Sequence, residues 1–110
     1  MYARVWQFVI LPGKIKEFAA AANAMMPILQ QQAGFRGCIV LRSGPEDRLE
    51  VTVVSTWASI EDLRNSETKA YQQALVDALP LCEPRPSMRE EEVMISVGAS
   101  EDLDDTVTKF

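Results

Sequence analysis

Apolar and polar positions alternate from Ala3 to Leu11, in a segment rich in β-branched and aromatic side chains that Pro12 and Gly13 end abruptly. A period of two with that composition predicts a strand. From Lys14 to Gln32 the period lengthens: Ile15, Phe18, Ala22, Met25 or Met26, and Leu29 recur at helical spacing, which predicts one long amphipathic helix. Pro27 lies inside it without a backbone donor, so a kink or slight break is expected there. Gly34 stands where a C-terminal cap belongs, and Phe35 to Arg42 returns to alternation, with Phe35, Ile39 and Leu41 opposite Cys38 and Val40. The run from Ser43 to Asp47 is turn-forming, after which Leu49, Val51, Val53, Ser55 and Trp57 alternate with Glu50, Thr52, Val54 and Thr56. These two strands read as a hairpin.

Ser59, with Asp62 three positions on, makes an imperfect capping box at the start of a second helix. Its stripe of Leu63, Tyr71, Leu75 and Leu79 is interrupted near Asn65 and Ser66, which predicts a helix in two pieces. Pro80, Pro84 and Pro86 stiffen the next connection, and Glu92 to Val97 is expected to be the last strand, because Val93, Ile95 and Val97 alternate with Met94.

The order β-α-β-β-α-β defines a ferredoxin-like α+β fold, a four-stranded antiparallel sheet with both helices on one face. In the first strand Trp6, Phe8 and Ile10 point one way and Val5, Val9 and Leu11 the other, so both faces read as apolar. Two helices cover one face only. An apolar face left in water calls for a two-fold partner, so a homodimer is expected, closed as a dimeric α/β barrel.

With 110 residues, 47% of them apolar, the chain has material for one core. The expected division is a domain over residues 1–97 and an acidic tail over 98–110, whose pattern assigns no element. A net charge of −5 without a basic patch argues against nucleic acid and membrane surfaces as partners. No run approaches the length of a membrane helix and no signal-peptide pattern opens the chain, so a cytoplasmic protein is expected. Histidine is absent, and Cys38 and Cys82 form no C-x-x-C, so the reading gives no metal site and two reduced thiols.

The strand ending at Pro12-Gly13, the segment Ala33-Gly34-Phe35-Arg36-Gly37-Cys38, the tryptophan closing the third strand, and Ser59 to Leu63 followed by Ala70-Tyr71 together resemble the antibiotic biosynthesis monooxygenase family. The resemblance spans about residues 3 to 97 and implies a dimeric α/β barrel. It also implies either oxygenation of phenolic rings without a cofactor or haem degradation. The chain departs from the haem-degrading pattern, which takes an iron ligand from a histidine on the second helix. It departs from the oxygenases too: their strand asparagine has no counterpart, since Asn23 and Asn65 fall on helices and Val53 sits four residues before Trp57.

Trp57, Gln7, Ser55 and Tyr71 are therefore the candidate ligand-binding residues, without an assigned catalytic residue or cofactor. Trp57 and Ser55 share a strand face. Gln7 interrupts the Val5 and Val9 face and would need a polar partner if buried. Tyr71 brings a phenol from the second helix. Each also has an ordinary structural role: core aromatic, backbone-bonded hydroxyl, interface or margin amide, and core tyrosine. Two functions stay open, a monooxygenase acting on a small aromatic or quinol that itself supplies the electrons, and a non-catalytic ligand-binding or stress-associated dimer.

Overall fold

The computed structural model describes residues 1–97. The elements follow in the order β1 (Tyr2–Val9), α1 (Ile15–Gln30), β2 (Phe35–Ser43), β3 (Glu50–Trp57), α2 (Ile60–Asn65), α3 (Lys69–Ala78) and β4 (Ser87–Glu92), with a 3-10 turn at Leu79–Leu81. The antiparallel sheet has the order β2-β3-β1-β4. This is the α+β, ferredoxin-like architecture expected from the alternation.

Helix α1 runs through Pro27 without interruption. Its end is simpler than expected: Gln31 is the capping residue in a right-handed conformation, and Gly34 lies further on at φ +79. Glycine is required there for a second reason, since a Cβ would collide with the Asp62 carboxylate. The second helix is split as its interrupted stripe implied. The Ser59 hydroxyl accepts from the Asp62 amide to cap α2, and the Thr68 hydroxyl accepts from the Tyr71 amide to cap α3.

The last strand requires a correction. Ser87–Glu92 pairs with β1, Tyr2 opposite Glu92 and Gln7 opposite Ser87, whereas Met94, Ile95 and Val97 lie exposed beyond it. The alternating apolar residues favoured the later segment. An edge strand pairs on one side only and tolerates charged residues such as Arg89, Glu90 and Glu91, so hydrophobic alternation is a weak guide to it. The expected acidic tail, 98–110, lies outside the described residues.

The helices cover one face of the sheet. Phe8, Ile10, Phe18, Leu49, Val51, Ala78 and Cys82 form one buried cluster. Leu29, Trp57, Leu63 and Tyr71 form a second. Trp6 stacks on Phe8 at 5.4 Å, and Phe35 meets the Trp57 ring edge-on at 5.3 Å.

The opposite face carries Ala3, Val5, Gln7 and Val9 from β1, with Thr52, Val54 and Thr56 from β3, Ile39 and Leu41 from β2, and Ser87, Arg89 and Glu91 from β4. It is mixed rather than uniformly apolar. Ile39 and Leu41 are about half exposed on it, at 53% and 52%.

Candidate ligand cavity

Between the sheet and helices α1 and α3 lies a cavity of about 60 Å³. Trp6, Phe8 and Val53 form its floor, Ala22, Met25 and Met26 one wall, and Tyr71, Ala74 and Leu75 the other. That volume holds about four waters at roughly 15 Å³ each. A benzene-sized ring occupies a cavity of about 150 Å³, so even one ring requires the flexible Met25 and Met26 side chains to move, and a fused ring system more so.

Its few polar groups come from Arg4, Ser55 and Tyr71. Arg4 and Ser55 are cross-strand partners on β1 and β3, which places both on the helix-covered face. Trp57 Nε1 donates to Ser55 Oγ at 3.0 Å. Trp6 Nε1 donates to the Tyr71 hydroxyl at 2.9 Å. Each hydroxyl thus has an acceptor site filled by an indole.

Arg4 is only 2% exposed. Its Nη1 donates to the Leu63 carbonyl at 3.2 Å, to Ser66 Oγ at 3.0 Å and to Glu67 Oε2 at 3.4 Å, fastening β1 to the α2–α3 junction. The guanidinium carbon also lies 4.5 Å from the Tyr71 ring centre and 5.4 Å from that of Trp57, within cation–π range. Burial raises the Tyr71 phenol above its ordinary pKa, partly opposed by the Arg4 charge and the Trp6 hydrogen bond. Burial likewise pushes the Cys38 thiol up to about 11 despite Arg4.

Of the expected residues, the structure brings Ser55 and Tyr71 to the cavity. Trp57, fully buried, stands behind Ser55 and holds it. Gln7 is not part of this group: it lies on the opposite sheet face, where its Oε1 accepts from Ser87 Oγ and Arg89 Nη1, both at 3.3 Å. Arg4 and Trp6 are the residues the sequence reading missed. Their signal was their parity, which groups Arg4 and Trp6 with Phe8 on one alternating face.

An antiparallel sheet with its helices on one face and a small, mainly apolar cavity between them defines the class: an α+β protein of ferredoxin-like topology. The model of the antibiotic biosynthesis monooxygenase family matches residues 1–78, and the chain belongs to that family. A search of the curated proteins gives no match. Among solved structures the chain is similar to SnoaB, a cofactor-independent oxygenase from Streptomyces nogalater, at 15% identity and TM-score 0.71, covering 89% of this chain and 97% of that one. It is also similar to Rv0793 from Mycobacterium tuberculosis, at 14% identity and TM-score 0.76, covering 88% and 98% of the two chains. A conserved protein from Methanosarcina mazei Go1 aligns at 11% identity and TM-score 0.72, covering 81% and 88%.

Proposed function

We propose that this protein is a cofactor-independent monooxygenase acting on a small aromatic or quinol substrate bound between the sheet and α3. The observation that carries the reading is the pairing of each cavity hydroxyl with an indole donor. Ser55 and Tyr71 receive Trp57 and Trp6, so their own protons are free to orient a substrate oxygen. Family membership supports monooxygenase chemistry in general, and the mainly apolar cavity supports a small aromatic ligand.

In such a reaction the substrate is the reductant. For a quinol, the ring gives up four electrons as the O–O bond breaks: one oxygen atom enters a ring C–H bond as a hydroxyl, the two phenols become the carbonyls of a hydroxyquinone, and the other oxygen leaves as water with the two phenolic hydrogens. The cavity lining contains no carboxylate and no histidine, so its contribution is to stabilise an ionised substrate and exclude water. Trp57, Ser55 and Tyr71 are positioning residues in this reading. Gln7 has no part in it.

A second copy of the chain is proposed to cover the open face, where Ile39 and Leu41 lie half exposed beside Val54.

Oxygen uptake is the direct test, measured with monocyclic hydroquinones and with anthrones. Uptake on the smaller substrates that Trp57→Phe abolishes is the expected result, because phenylalanine fills the core but cannot donate to Ser55. Absence of uptake across the panel would favour a ligand-binding dimer without catalysis.

A further inference from the structure

We infer that the cavity selects an anion: a small aromatic or quinoid molecule carrying an ionised oxygen, carboxylate or phenolate, received by Arg4 with the Ser55 and Tyr71 hydroxyls. The inference rests on the cavity being the ligand site and is independent of oxygen chemistry.

Among the described residues, the hydrogen bonds of Arg4 all leave from Nη1. No fully buried polar side-chain atom there lacks a partner, so Nε and Nη2, which carry no hydrogen bond, are not completely sealed, and Arg4 lines the cavity. A guanidinium is a rigid fork built for two parallel bonds to a carboxylate or similar oxyanion. Here one tine is committed to the protein and the rest of the donor edge is not.

The hydroxyls point to the same conclusion. Trp6 and Trp57 occupy acceptor positions on Tyr71 and Ser55, which leaves each hydroxyl a proton to give. Each hydroxyl gives a proton to an oxygen and keeps one lone pair, while Arg4 only donates and carries the charge. A neutral isostere meets the same hydroxyls without gaining from that charge, whereas an ionised oxygen gains from both. Charge balance agrees. A buried cation needs a counter-charge, and Glu67 supplies only a partial one, 3.4 Å away with its side chain 35% exposed.

A purely structural Arg4 is the competing account, since Nη1 already ties β1 to Leu63, Ser66 and Glu67. That role needs hydrogen-bond donors but gives no preference between an anion and its neutral isostere.

Benzoate and benzamide, equal in size, separate the two. Binding measured by calorimetry on the intact protein should favour benzoate by about tenfold or more. Arg4→Gln should erase that preference while benzamide still binds, and Glu67→Gln should enlarge it by removing the competing carboxylate. If Arg4→Gln does not fold, by circular dichroism, Glu67→Gln decides alone. A 4-nitrophenol absorbance titration distinguishes the sources: a bound phenol whose pKa falls indicates that phenolates are received, and benzoate binding without that fall indicates a carboxylate site. Equal binding of benzoate and benzamide, or a preference indifferent to both substitutions, overturns the anion inference but leaves the cavity a ligand site. Binding of neither probe overturns the inference and removes the cavity as ligand site as well.

Discussion

The two faces of the sheet are made by the same strands and differ in almost every physical respect. On the helix side, Trp57 and Leu63 are fully buried and a guanidinium is enclosed with them. On the open side, Ile39, Leu41, Gln7 and Arg89 share a surface of apolar and charged groups. Residues three apart on one strand go to opposite fates, Arg4 into the core and Gln7 out to β4. The lesson is that side-chain direction, fixed by the pleat, decides whether a polar residue becomes part of a site. Residue type alone does not.

The largest expected effect lies on the helix side. Trp57→Ala should cost about 3–5 kcal/mol, the usual range for emptying a buried aromatic site, and urea denaturation will measure it. A cost near that of a surface substitution would break the contrast between the faces. Arg4→Met should cost about 1–3 kcal/mol by leaving the Leu63 carbonyl, Ser66 and Glu67 without their shared donor. The same denaturation series checks it, with Glu67→Gln expected to cost less than either.

Leu41→Asp tests the other face. Within one protomer it should shift stability by no more than about 0.5 kcal/mol, because the residue is half exposed. If a second copy covers this face, sedimentation should instead report conversion of dimer to monomer. An unchanged sedimentation coefficient, with a dimer persisting, would move the interface elsewhere.

A pH dependence confined to the helix side completes the comparison. Burial raises Cys38 and Cys82 from 9.0 to about 11 in the folded protein. Unfolded thiols ionise first, so the folded state is fully favoured below about pH 9 and loses stability as the pH climbs toward 11. Tyr71, also raised by burial, acts in the same direction at higher pH. Melting temperature should fall over that window, and by less in a variant with both cysteines changed to alanine.

Most of the fold was legible because its internal strands alternate and its helices keep their period. The break between α2 and α3 was visible at Asn65 and Ser66, and the Ser59 cap in its own spacing. The last strand was not legible. Its pairing partner is β1 on one side alone, so Ser-Met-Arg-Glu-Glu-Glu carries no demand for apolar alternation, while the more hydrophobic Val93 to Val97 attracted the assignment. Half of the candidate site was legible in Ser55, Tyr71 and Trp57 behind Ser55. Gln7 was misplaced and Arg4 was missed because sequence parity separates two faces without saying which one the helices will cover. Only the packed structure does that, and it turns Arg4 from an ordinary strand charge into the most deeply enclosed cation described.

Burial of the cysteines also bears on how such a protein ages. A thiol is attacked by peroxide and alkylating agents chiefly as its thiolate, and both sulfurs here are held protonated across the ordinary range of pH. Oxidative wear should therefore begin at the thioethers outside, Met94 at 90% exposure before Met88 at 41%, adding one oxygen atom to each while the interior sulfur is spared.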